Sequence, residues 1–179
     1  LTGGNTCQPN PVADAAMQRV LKQLDKRHGD FHVFVVPEEE VNALTAPGNN
    51  MIIYSSLLAL VKNQGQFTAV LAHETGHAYY RHPLRSIVSA LGARILLTVA
   101  TGNSGFATDA ANMAGQLAQM GANRDFEAET DAYGMQALIR NGLPPTLLGD
   151  FLKLMPNVML EKEIPEWLLT HPNTDHRLQ

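Results

Sequence analysis

Three side chains in one short run could carry out hydrolysis together. Residues 71–82 read Leu-Ala-His-Glu-Thr-Gly-His-Ala-Tyr-Tyr-Arg-His and contain the pattern H-E-x-x-H. On a helix, positions four apart share a face, one turn apart. His73 and His77 can therefore offer two imidazole nitrogens to one metal ion. Glu74 projects from nearly the same side, where a carboxylate can reach a water held by that metal. Two neutral nitrogen ligands and a carboxylate base are the donor set of zinc-dependent peptide hydrolysis.

Two histidines do not hold a catalytic zinc; a third protein ligand is needed, with a fourth position left for water. A third histidine six residues after the second is not available. Position 83 is proline, and Tyr80 stands where that metzincin pattern needs glycine. The remaining source is a carboxylate from another helix, and Glu127-x-x-x-Asp131 fits. Glu127 can ligate the metal. Asp131, one turn on, can accept a hydrogen bond from the outer nitrogen of a ligand histidine and fix its tautomer. Glu129 competes with Glu127 but lies about 200° around the helix from it, so both cannot face one metal. Only Glu127 has an acid one turn further on. A merely solvated acidic face would be the preferred reading without His73 and His77. His82, five past His77, is open between a partner for the site, a substrate contact, and a helix-terminal histidine favoured by the dipole.

These residues need elements to position them. Pro11 to His28 has apolar residues at helical spacing, with proline at its start and Gly29 after its end. Phe31–Val36, Val41–Thr45 and Met51–Tyr54 read as three short strands, with a turn at Ala46–Asn50. Ser55 or Ser56 is expected to cap a helix from Leu57 to about Asn63. The active helix should run from Gln66 to Tyr80 and end at Pro83. Met51, Ile52, Ile53 and Tyr54 precede it closely. If their strand is a free edge, an extended peptide substrate could add to it through backbone hydrogen bonds; the alternative is an ordinary inner strand. Further helices are expected over Ile87–Ala100, Ala110–Gly121, Asn123–Arg140 and Thr146–Met155. Residues 1–10 read as a loose tail before a single domain over 11–179.

Composition narrows the classes. The chain has 179 residues, is 45% hydrophobic, and carries a net charge of −4 with both signs interspersed. That supports a folded core, and no basic run points to nucleic acid. The single cysteine, Cys7, excludes an internal disulfide and reads as a tail residue without a role. The chain starts at Leu1, so removal of a leader or a longer N-terminal part is expected. Ile87–Ala100 is too short for a membrane span, which needs about 20 residues, and Arg94 interrupts it. It reads as a buried or membrane-facing helix, leaving membrane association open.

Several separately placed motifs occur in one order. They are Asn42-Ala43 with Pro47-Gly48, Leu57-Leu58, Ala69 to His77, Glu127-x-x-x-Asp131-x-x-Gly134, and Thr170-His171-Pro172 with Arg177. From about Phe31 to Arg177 the chain resembles the HtpX, CAAX-prenyl-protease and BepA-type gluzincins of peptidase family M48. The resemblance implies an α+β fold: a mostly helical, zincin-like domain with a sheet of three or slightly more strands beside the HExxH helix. It implies one zinc per chain held by His73, His77 and Glu127, with Glu74 as general base. The Thr-His-Pro loop should lie near the metal, where His171 could contact substrate, stabilise the oxyanion, or occupy zinc's open position. Arg177 should anchor that loop by pairing with an acid. Gln64-Gly65-Gln66 departs from the acidic pair often found ahead of the active helix in that family. The integral members' transmembrane helices have no counterpart here. The expected reaction is endoproteolysis of protein or peptide substrates, misfolded or envelope proteins among them, in the periplasm or envelope of a bacterium. The rival is a non-catalytic, chaperone-like zinc-binding domain.

Overall fold

The computed structural model describes residues 10–25, 30–89, 91, 124–155 and 170–171. Helix α1 spans Pro11–Leu24. Its N-terminus is capped by Asn10, whose Oδ1 accepts from the backbone N–H groups of Val12 and Ala13 at 3.1 and 3.2 Å. Pro11 follows at the first helical position, where a missing N–H costs nothing.

Three strands follow: β1 (His32–Val36), β2 (Ala43–Ala46) and β3 (Asn50–Tyr54). Their order across the sheet is β1-β3-β2, with β1 parallel and β2 antiparallel to β3. The β2–β3 turn uses Gly48 and Asn49, both at positive φ (83° and 57°). This order corrects the edge reading of Met51, Ile52, Ile53 and Tyr54. Their strand is paired on both sides, and Met51, Ile52 and Ile53 are buried. The edge nearer the active helix is β2. Register pairs Asn42 with Tyr54, whose N–H donates to the Asn42 carbonyl at 3.0 Å. In an antiparallel pair hydrogen-bonded positions alternate, so the backbone groups of Ala43 and Thr45 point outward, away from β3.

Helix α2 covers Ser55–Leu60 directly after β3. Neither serine caps it. Both lie in its first turn, and their hydroxyls donate to the Glu38 and Glu40 carbonyls instead. Asn63 caps the next helix, α3 (Gln64–Tyr79), by accepting from the Gln66 N–H at 2.9 Å. Every residue from Thr68 to Ala78 is buried. Strand β2, α1 and the two helices that follow surround α3, so it forms the axis of the core.

Pro83 does not end α3. Tyr80 closes it, Arg81 adopts a left-handed φ of 55°, and residues 82–89 are helical again with Pro83 in the first turn. Leu84 and Val88 on that stretch are exposed, as is Leu91. The first helix stops at Leu24 rather than His28, because Asp25 turns extended (φ −138°, ψ 112°). The rest of the Ile87–Ala100 helix, the Ala110–Gly121 helix, Cys7 and Arg177 lie outside the described residues.

Helix α4 (Arg124–Arg140) crosses α3. It stops at Gly142 (φ 70°), where Leu143 N–H donates back to the Leu138 carbonyl at 3.0 Å. Short helix α5 (Leu147–Leu152) brings Leu148, Phe151 and Leu152 into the core beside Leu21, Leu71 and Leu138. The architecture is α+β, mostly helical with a small mixed sheet. No helix among the described residues is long and apolar enough to cross a membrane.

Candidate metal centre

The α3–α4 crossing is close because glycines face it. A Cβ on Gly76 would lie 3.0 Å from Thr130 Cγ2, and one on Gly134 would lie 3.3 Å from the His73 backbone nitrogen. That approach lets one face of α4 reach the histidines of α3. Glu127, Thr130, Asp131 and Gly134 follow i, i+3, i+4, i+7 spacing, which is one helical face.

His73 Nε2 lies 3.2 Å from His77 Nε2. One Glu127 oxygen lies 3.4 Å from His73 Nε2, and the other lies 3.4 Å from His77 Nε2. His171 Nδ1 is 3.3 Å from His73 Nε2 and 3.2 Å from Glu127 Oε2. His73, Glu74, His77 and His171 each bring one donor atom within 4.8 Å of the others'. All four are buried, as is Glu127 at 1% exposure.

Outer partners fix the tautomers. His73 Nδ1 is 2.9 Å from Asp131 Oδ1, so its N–H donates outward and its Nε2 lone pair faces the cluster. His171 Nε2 is 3.2 Å from the outward carbonyl of Ala43 on β2, and its Nδ1 faces Glu127 and His73. Thr170 Oγ1 reaches Asn42 Oδ1 at 3.3 Å from the neighbouring position. His77 Nδ1 meets His82 Nδ1 at 3.0 Å. Glu129, the rejected ligand candidate, has its Oε2 3.0 Å from His82 Nε2 and 3.2 Å from Arg85.

The cluster fits a metal ion on the chemistry of its donors. Ligand atoms about 2.0–2.1 Å from a tetrahedral zinc stand about 3.3–3.4 Å apart. The contacts of 3.2 to 3.4 Å among His73, His77, Glu127 and His171 match that edge length.

Glu74 is held differently. Thr45 Oγ1 lies 2.9 Å from Glu74 Oε2 and 2.9 Å from the Glu74 carbonyl. The other oxygen, Oε1, is buried and accepts no hydrogen bond among the described residues, with His171 Nε2 3.4 Å away. Thr45 was missed in the sequence, since a threonine in a strand is ordinary. Its only signal is alternation, which puts residues 43 and 45 on one face of β2.

The local electrostatics oppose one another. Burial works to depress the His73 imidazole, but the Asp131 and Glu127 carboxylates outweigh it and raise it to about 9. Burial, then His73 and His171, holds His77 well below its ordinary value. For Glu74 burial dominates and raises the carboxyl against the pull of His171 and His73. Burial would raise Glu127 too, yet His171 and His73 carry it well below the usual carboxylate range.

A HExxH helix crossed by an acid-bearing helix, beside a small mixed sheet, defines a metallopeptidase domain. The chain belongs to peptidase family M48, whose family model matches residues 8–179. It is 34% identical over 161 residues to the beta-barrel assembly-enhancing protease of Escherichia coli (strain K12), covering 83% of this chain and 33% of that protein. The corresponding protease of Yersinia pestis is 35% identical over the same shares. The mitochondrial metalloendopeptidase OMA1 of Saccharomyces cerevisiae is 29% identical over 164 residues, covering 87% of this chain and 47% of that protein. The chain thus spans about a third of the length of the first of these relatives.

Proposed function

We propose that this chain is a zinc-dependent endopeptidase domain. Zinc is held by His73 Nε2, His77 Nε2 and a Glu127 oxygen. The observation that carries the reading is the spacing of those three donors, 3.2 to 3.4 Å, beside a buried Glu74 oxygen without a hydrogen-bond partner among the described residues. Bound there, the metal supplies Lewis acidity to a water and to the scissile carbonyl.

The chain's own groups do the rest. Thr45 holds Glu74 Oε2, so Oε1 is the oxygen that takes the water's proton as the water oxygen bonds to the scissile carbonyl carbon. Burial raises the Glu74 carboxyl, bringing it nearer the neutral range where a group both accepts and returns a proton efficiently. The protonated Glu74 then delivers that proton to the leaving amine nitrogen as the C–N bond breaks. Asp131 keeps His73 in the tautomer that presents Nε2. The outward backbone groups of Ala43 and Thr45 on β2 suit an extended substrate backbone.

His171 favours a resting, closed form. Its Nδ1 stands at ligand spacing from His73 and Glu127, and its Nε2 takes the Ala43 carbonyl that a substrate strand would use. The substrates are proteins of a bacterial cell envelope, in keeping with relatives named for β-barrel assembly.

The test is metal content by mass spectrometry on wild type and Glu127→Ala, alongside cleavage of casein. One zinc per chain, lost with Glu127, plus cleavage is the expected result. Glu74→Gln should keep the metal and lose nearly all hydrolysis; full activity in that variant overturns the mechanism. His171→Ala should raise the rate. A fall would instead give His171 a role in the transition state, and an unchanged rate would remove it from both roles.

A further inference from the structure

The two histidines of α3 are supported differently on their outer sides. His73 meets a carboxylate directly, at Asp131. His77 meets another imidazole. His82 Nδ1 lies 3.0 Å from His77 Nδ1, and His82 Nε2 lies 3.0 Å from Glu129 Oε2. We propose that His82 and Glu129 are positioning residues: a carboxylate–imidazole relay that sets the tautomer and ring orientation of His77. The proposal rests on the reading of His77 as a metal ligand.

The proton positions follow from the contacts. For His77 to present a bare Nε2 to the cluster, its Nδ1 must carry the hydrogen. That N–H donates to His82 Nδ1, which must therefore be bare. His82 then carries its hydrogen on Nε2 and donates it to Glu129. Thr130 Oγ1, 3.2 Å from His82 Nδ1, can donate to the same nitrogen but cannot supply the Nε2 contact. Arg85 binds the same Glu129 oxygen at 3.2 Å and keeps the carboxylate in place.

The ring is held in one plane. His82 is 2% exposed and stacks on Phe126 at 4.1 Å between centroids and 7° between planes. Tyr80 is nearly parallel to it at 5.4 Å and 16°, and Arg85 caps Phe126 at 4.4 Å. In an unbroken helix, a residue five positions on lies about 140° around the axis and faces away. The left-handed turn at Arg81 is what returns His82 to His77. None of this geometry is needed for a helix-terminal histidine.

Outer partners of ligand histidines carry about 10–100-fold in metal affinity. The experiment measures zinc affinity by chelator competition for wild type, Asp131→Ala, His82→Ala, His82→Asn and Glu129→Ala. Ring nitrogen shifts of His77 are read by NMR in the zinc-free proteins. His82→Ala should lose at least tenfold and mix the His77 tautomers. His82→Asn keeps an acceptor near the Nδ1 position and should recover most of the affinity. Glu129→Ala should lose less than His82→Ala, with the same mixing.

Affinity within twofold of wild type in His82→Ala, while Asp131→Ala loses tenfold, overturns the relay and leaves the metal site standing. No zinc in wild type overturns the metal reading itself. Should His82→Ala not fold, His82→Asn and Glu129→Ala decide: loss with Glu129→Ala alone supports the relay. Unchanged affinity and tautomer in both overturn it.

Discussion

At the scale of single residues, the site depends on small polar contacts that hold larger chemical groups. Thr45 is the clearest case. Removing its hydroxyl takes away one hydrogen bond to the Glu74 carboxylate, worth about 1–1.5 kcal/mol. Thr45→Ala should slow hydrolysis roughly tenfold, leave metal content unchanged, and be rescued by Thr45→Ser. Wild-type turnover in Thr45→Ala would show that Glu74 needs no such support. Arg81 carries the opposite kind of cost, since a left-handed φ of 55° disfavours any side chain with a Cβ. Arg81→Gly should raise stability to urea by up to about 1 kcal/mol. Arg81→Val, with a branched Cβ, should lower it by more than that. Which of these residues could be read in the sequence follows from what each signals. His73, Glu74 and His77 announce themselves by spacing alone. Arg81 does not, because arginine says nothing about positive φ. The turn that brings His82 to His77 is therefore invisible in the sequence, where Pro83 reads as a stop.

At the scale of elements, the α3–α4 crossing decides whether the ligands meet. Alanine in place of Gly76 gains about 1 kcal/mol of helix propensity. It also drives a methyl to 3.0 Å from Thr130 Cγ2 and 3.3 Å from Thr130 backbone atoms that cannot turn aside. Overpacking of that kind costs about 1–3 kcal/mol, so Gly76→Ala should destabilise on balance and weaken metal binding as α4 shifts. Gly134→Ala, with its nearest contact at 3.3 Å, should be milder. Thermal melts with and without zinc compare the two, and equal effects would refute this account of the crossing. The separation of Glu127 from Glu129 was legible because helical angle is a local property. Strand order was not. Each strand shows in its own alternation, but pairing joins residues far apart in the chain, so β3 could be read as an edge when it is the centre. Likewise Ser55 and Ser56 look like caps, yet β3 passes into α2 without a gap and their hydroxyls serve the preceding loop.

At the scale of the molecule, the donors come from widely separated stretches, α3, α4 and the 170–171 segment, and β2 braces them through Ala43 and Thr45. A metal that binds only their folded arrangement stabilises the whole, by about 2.7 kcal/mol at a hundredfold excess over its dissociation constant. A chelator should accordingly lower the melting temperature of wild type and leave that of Glu127→Ala almost unmoved. Helix α3 is buried on every side from Thr68 to Ala78, and this shapes its motion in time. A helix with a wet face can exchange amide hydrogens by fraying or by brief local openings; one wrapped all round exchanges only when its surroundings come apart. The amides of Leu71 to His77 should be among the last in the protein to take up deuterium, at a rate that tracks global unfolding. The backbone beneath the two histidines then serves as a fixed floor for the donors set on it.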